Sequence, residues 1–122
     1  MTSSTEKAVD HDFELALMED IYRRDTADTR TLEALATLYT ELGLIEKGLE
    51  LDLRHIELEP NNPSAHYNCA CSLSLSGRLD EAFERLELSL TLGFDNIEWM
   101  HKDPDLKAMR KDPRWAALPR AE

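Results

Sequence analysis

Apolar side chains recur along the chain with the period of a helix. Leu32, Leu35, Ala36 and Tyr39 fall at i, i+3, i+4 and i+7, which is one face of a helix over roughly Thr29 to Leu42. Asp28 is placed to cap its start, and Gly43 suits the left-handed residue that ends it. A second helical pattern runs from about Ile45 to Glu59. The segment Pro60-Asn61-Asn62-Pro63 is the sharpest boundary in the chain. Pro60 stops one helix, Asn62 caps the next, and Pro63 sits in its first turn, where a missing N–H costs nothing. That helix spans Pro63 to Ser76 and closes at Gly77. Its partner, Asp80 to about Thr91, has Leu79, Ala82, Phe83, Leu86 and Leu90 as its apolar stripe. Upstream, Asp10 to Arg24 reads as a helix with Phe13, Leu17 and Ile21 as the stripe and Met18 and Tyr22 beside them. Asp12, Glu14, Glu19, Asp20 and Arg23 then face away. Met1 to Val9 reads as a disordered lead-in. Downstream, Asp103-Pro104 and Asp112-Pro113 each combine an N-cap with a first-turn proline. They predict short helices near Pro104 to Arg110 and Pro113 to Leu118.

Displacing the sequence by 34 residues returns the same punctuation. Gly43 falls on Gly77, Ala36 on Ala70, Ile45 on Leu79, Gly48 on Ala82 and Leu58 on Leu92. A helix–turn–helix unit at this period resembles the tetratricopeptide repeat. The first repeat matches the family pattern at Leu32, Leu35, Ala36, Tyr39, Gly43, Gly48 and Pro60, and the second at Ala70, Gly77, Leu79, Ala82 and Leu86. Asp52 departs from it, standing where a large apolar residue is usual. His66 replaces an aromatic residue, and Phe94 replaces the second closing proline. The tail (Leu92-Gly93-Phe94-Asp95, Trp99, Asp103-Pro104-Asp105-Leu106 and Asp112-Pro113-Arg114-Trp115) is similar to the segment that ends many bacterial arrays of this family.

The resemblance implies an all-α fold, a right-handed antiparallel stack of helical hairpins. In it, residues 10–24 form an N-terminal cap, 29–62 and 63–94 form two repeats, and 95–118 form a short helical lid. Trp99, Leu106, Met109, Trp115 and Leu118 would cover the last repeat, making the chain a complete single domain over 1–122. The resemblance also implies a concave groove lined by the first helix of each repeat. Carried over by register, Glu33, Thr37, Thr40 and Glu41 come from one helix, and Tyr67, Asn68, Cys71, Ser74 and Leu75 from the next. Asn68 can grip a peptide backbone with both donor and acceptor, and Tyr67 offers an anchoring ring with a polar handle. The expected function is a non-catalytic protein–protein interaction module that takes a peptide or partner helix. The alternatives are a self-associating scaffold or homodimer joined through Trp99 or Trp115, and a small chaperone-like protein. The groove's occupant could also be the chain's own termini. Some members of the family grip acidic C-termini with lysine and asparagine. Here Glu33 and Thr37 stand at such positions, so a basic, polar or apolar peptide fits better than a carboxylate.

Composition narrows the partners. The net charge is −11 over 122 residues. Met1 to Met100 holds 8 basic and 21 acidic residues, and the remainder 6 and 4. An acidic body repels phosphate backbones, which argues against nucleic acid. No apolar run reaches bilayer length, and the polar start resembles no signal peptide, so the expected setting is the cytoplasm without membrane association. Cys69 and Cys71, two apart on a helix, cannot bridge comfortably, which suits a reducing compartment.

Candidate chemistry is sparse, and no enzyme activity is expected. His66, Cys69 and Cys71 are ligand types, but Cys71 leaves the face the other two share and no second cluster has zinc spacing. Glu98 and His101 form an i, i+3 pair of the kind used in di-iron bundles, without the further glutamates such sites need. No glycine-rich phosphate loop or nucleophile signature is present. No metal or cofactor is expected.

Overall fold

A computed structural model describes residues 3–121, with side chains from residue 11 onward. Among the described residues every regular element is helical. Five long helices come first: α1 (Ser3–Arg24), α2 (Thr29–Glu41), α3 (Ile45–Leu58), α4 (Pro63–Leu75) and α5 (Leu79–Thr91). The C-terminal segment contains α6 (Ile97–Met100), a 3-10 turn at Pro104–Leu106 that runs into α7 (Lys107–Arg110), and a 3-10 turn at Pro113–Ala117. Helices pack in pairs, α2 on α3 and α4 on α5, with α3 on α4 joining the pairs and α1 against α2. This is the arrangement of a helical repeat.

The two pairs turn in the same way, 34 residues apart. Gly43 and Gly77 have φ of +80° and +78°, a region open to glycine and strained for side chains with a Cβ. After each glycine the chain folds back. Leu44 N donates to Tyr39 O at 2.8 Å and Arg78 N to Leu73 O at 2.9 Å, the longer bond of the glycine-terminated helix end. The starts also follow the side chains. Asp28 accepts from the N–H groups of Arg30 and Thr31, and Asn62 from that of Ser64. In the tail, Asp103 and Asp112 cap their turns ahead of a first-turn proline; the first expected helix spans Pro104–Arg110 but opens as a 3-10 turn, and the second is a 3-10 turn over Pro113–Ala117.

The core is in two parts. Leu32, Leu35, Ala36, Tyr39 and Leu51 form one cluster, with Leu15, Met18, Tyr22 and Leu58 against it. The larger cluster lies between α4 and α5, and Met100, Leu106, Met109 and Leu118 of the C-terminal segment close it. Trp115 packs against this cluster, whereas Trp99, expected to help cover it, is 46% exposed. The neighbouring Met100 takes the buried position.

Two expectations about the N-terminal region need correction. The helix begins at Ser3 rather than Asp10, so most of the expected disordered lead-in is helical; Met1 and Thr2 lie outside the described residues. The helix is also turned the other way. Leu15, Met18 and Tyr22 face the core, while Phe13, Leu17 and Ile21 are 69%, 47% and 40% exposed. Glu19, expected to face outward, accepts a hydrogen bond from the Tyr39 hydroxyl at 2.5 Å. Apolar residues stand on two sides of α1, and this bond, together with the fit of Met18 and Tyr22 to α2, selects the inner one.

At Gly48, α3 lies tightly against α2. A Cβ there would lie 2.9 Å from Thr40 Oγ1 and 3.3 Å from the Ala36 carbonyl oxygen. Gly48→Ala gains about 1 kcal/mol of helix propensity but must displace that hydroxyl, itself bonded to Ala36 O at 3.1 Å. The expected outcome is a lower melting temperature for Gly48→Ala alone, and a higher one when it is added to Thr40→Ala. Thermal unfolding of the four proteins in this cycle checks it; a stabilising single substitution would show that the helices separate freely.

Candidate functional site

A groove of about 430 Å³ runs between α2, α4 and the C-terminal segment. Helical periodicity builds its two long walls. Glu33, Thr37 and Glu41 recur every four residues on α2, and Asn68, Cys71, Ser72 and Leu75 follow the same logic on α4. Glu33, Thr37, Glu41, Tyr67, Asn68 and Cys71 all line it, as does Thr40. Ser74 does not. It is buried, and its Oγ, without a hydrogen-bond partner, lies out of reach of a groove ligand.

The side chains differ from expectation in what remains available. Tyr67 belongs to the core: its ring stacks on Phe94 with centroids 4.1 Å apart and planes 6° from parallel. Its hydroxyl donates to Asp103 Oδ2 at 2.6 Å. Burial, then this bond, pushes its pKa up. Tyr67 therefore shapes the wall and has no free polar handle. Cys71 is buried beside it, its Sγ 3.7 Å from the same carboxylate oxygen, and burial raises its thiol well above the ordinary range. It stays protonated and a poor nucleophile. Cys69, buried in the core, is likewise pushed up to about 12 by burial. Both cysteines are free. Asn68 is half-buried and keeps its amide at the groove.

The register had missed seven lining residues: Ala36, Ile45, Asp52 and Ser72 from the helices, and Trp99, Asp103 and Asp105 from the C-terminal segment folded across the end of the groove. Trp99 was read as covering the last repeat and Asp103 as a cap; Asp103 does cap, accepting from Asp105 N at 3.0 Å. Its second oxygen serves Tyr67, 36 positions away. Asp52, from α3, also reaches the groove. It is 4% exposed, and its Oδ2 accepts from Ser72 Oγ at 2.5 Å. Burial pushes its carboxyl up to about 6, against the lowering effects of Ser72 and His55. Its departure from the apolar pattern was the sequence signal for this position.

Among the described residues five carboxylates thus line the groove (Glu33, Glu41, Asp52, Asp103 and Asp105), and no lysine, arginine or histidine does. The apolar contribution includes Ile45, Leu75 and Trp99, the last two 40% and 46% exposed.

The metal-ligand types fall differently from the sequence grouping. His66 uses both ring nitrogens, Nε2 at 2.8 Å from the Pro60 carbonyl and Nδ1 at 3.3 Å from Arg85 Nη1. Cys71, Asp103 and Asp105 place one ligand atom each within 4.8 Å of one another. The protonated thiol and the hydrogen bonds already made to Asp103 suit a structural cluster, and no imidazole joins it. Glu98 pairs with Lys102 at 2.9 Å. His101 lies at a separate cavity of about 640 Å³, with Nε2 2.7 Å from Pro119 O and Nδ1 accepting from Trp115 Nε1 at 3.2 Å. The sequence matches no protein-family model and no curated protein.

Two measurements follow from the buried acids. Asp52 is favoured protonated by burial, so its stabilising contribution is complete below pH about 4 and is lost as pH rises through about 6. Asp52→Asn should remove up to about 3 kcal/mol of pH dependence in that window and be more stable than wild type at pH 7 to 8. Urea titrations at pH 4, 6 and 8 read this directly; parallel pH curves for the two proteins would refute it. Tyr67→Phe keeps the ring stack and removes one hydrogen bond to a buried carboxylate. It should cost about 1.5–3 kcal/mol by the same method.

Proposed function

We propose that this protein is a non-catalytic interaction module that holds a basic, amphipathic peptide or partner helix in the groove between α2 and α4. The carrying observation is the lining itself: among the described residues, five carboxylates and no cationic side chain, beside exposed Trp99 and Leu75. A cationic segment gains long-range attraction from the acids, and its apolar side chains find Trp99 and Leu75 at the groove. Asn68 offers a donor and an acceptor to a peptide backbone. Trp99 suits an arginine or lysine head stacked on its ring. An acidic ligand would meet like charge at Glu33 and Glu41.

The architecture in this reading is that of a short tetratricopeptide-type array with right-handed hairpin stacking. α1 caps the first pair and the C-terminal segment closes the second. The matching glycine turns and chain reversals at a 34-residue offset support it, as does the close approach at Gly48. Among the described residues no helix is long and apolar enough to cross a membrane; a cytoplasmic setting is part of this reading. The side chains at the groove form no nucleophile–base pair: the Cys71 thiol is held protonated and the Tyr67 hydroxyl is committed to Asp103.

The test uses the full chain and two labelled helical peptides of the same apolar pattern, one lysine- and arginine-rich and one glutamate-rich, with binding read by fluorescence anisotropy. The basic peptide is expected to bind, more weakly as salt rises. Glu33→Lys combined with Glu41→Lys should weaken it at least about tenfold. Both residues are exposed, so the variant should keep its melting temperature. Equal binding of both peptides, or binding untouched by charge reversal, would overturn the reading. Tyr67 is unsuitable as a probe because its removal would open the core.

A further inference from the structure

The cavity of about 640 Å³ beside His101 shares no lining residue with the groove and has the opposite charge. It is built within the C-terminal segment. Arg110, Lys111 and Arg120 line it, and Asp112 is its one carboxylate among the described residues. The lining therefore holds an excess of two positive charges, in a chain whose net charge is −11. Asp112 is already occupied. It accepts from Nε and Nη2 of Arg114 at 3.0 and 2.9 Å, and Arg114 holds its carboxyl down at about 2. The three cations differ in this respect: among the described residues no carboxylate pairs with Arg110, Lys111 or Arg120. Arg110 gives Nη1 to the carbonyls of Asp103 and Met100, at 2.8 and 3.4 Å. These bonds fix its guanidinium and leave its charge uncompensated.

Contacts of the chain itself hold the walls. Leu118 is buried, and the Pro119 carbonyl accepts from His101 Nε2 at 2.7 Å, which brings the following Arg120 to the cavity. His101 Nδ1 accepts from Trp115 Nε1 at 3.2 Å, so one imidazole ties both parts of the segment. Arg110 Cζ lies 6.0 Å from the centroid of the Trp115 ring. Trp115, Ala116 and Leu118 give the cavity an apolar side.

We propose that this cavity binds a small phosphate monoester carried on a flat apolar body, with the phosphate on Arg110, Lys111 and Arg120 and the body against Trp115. The volume is that of a small-molecule site, ordinarily ~300–1,000 Å³. A phosphate monoester carries about −1.5 to −2 charges at pH 7 and closes the excess; a single carboxylate leaves half of it open. Arginine forks also match phosphate oxygens in pairs. Exposed acids farther away than the Debye length, ~8 Å at physiological salt, are largely screened from the site.

The test is a titration of the isotope-labelled full chain with phenyl phosphate, followed by NMR at constant pH and ionic strength. The indole N–H of Trp115 reports the cavity and that of Trp99 the groove; Trp99→Phe assigns the two signals. The Trp115 signal should move and saturate with Kd on the order of 1 mM, while that of Trp99 stays in place. Inorganic phosphate lacks the body and phenol lacks the charge, so each should bind at least about tenfold more weakly. Lys111→Glu combined with Arg120→Glu should weaken phenyl phosphate by at least about tenfold. Both residues are exposed, so this protein should keep its melting temperature. Equal binding of inorganic phosphate would mean an adventitious ion only, and equal binding of phenol an apolar pocket only; either result overturns the proposal. So would a Trp115 signal that does not move, or binding untouched by the charge reversal.

Discussion

Asp103 is the buried polar group around which the second half of the fold is arranged. It is 4% exposed, and a carboxyl group so placed must find hydrogen-bond partners. One oxygen accepts from the Asp105 N–H and begins a 3-10 turn; the other accepts from Tyr67 of α4. Its own carbonyl receives Arg110 Nη1 at 2.8 Å. A local cap is thereby also a long-range tie, holding the C-terminal segment against α4 while Leu106 and Met109 enter the core. The same tie makes the end wall of the groove, because Trp99 and Asp105 are carried on that segment.

Asp52 answers a similar demand in the seam between the two helix pairs. Thirty-four residues later the equivalent position is Leu86, fully buried and apolar. At the first position the acid is held by Ser72 across the α3–α4 contact, and burial pushes its carboxyl up to about 6. Together with Asp103 it puts two buried acids into the groove wall. Glu33 and Glu41 add exposed charge, and the result is a field of one sign in a confined space. Such a field favours encounter with cationic segments more strongly than scattered surface acids would.

The groove and the outer side of α1 also divide the molecule's exposed apolar groups by neighbourhood. Trp99 and Leu75 stand beside carboxylates, where a ligand of mixed basic and apolar character can satisfy both. Phe13, Leu17 and Ile21 stand in a line on α1, with Glu14 and Asp20 close by in the chain.

Most helix positions were legible from the chain, because their signals are local. Capping by Asp28 and Asn62, first-turn prolines and glycine ends act within a turn of backbone, and the α2–α5 boundaries fall within one or two residues of those read from them. The groove register on α2 and α4 was legible for the same reason, since 3.6-residue periodicity sets which side chains share a face. What the chain left open was any choice made between distant segments. α1 has apolar residues on two sides, and only its contact with Tyr39 decides which side is buried. Trp99 and Met100 are adjacent, and only the path of the folded tail decides that methionine enters the core. Tyr67 read as an exposed anchor because nothing local announces a stacking partner 27 residues on or a carboxylate 36 residues on. Periodicity and capping are properties of a segment; burial and the pairing of a buried charge belong to the segments that meet there, and tertiary packing alone brings them together.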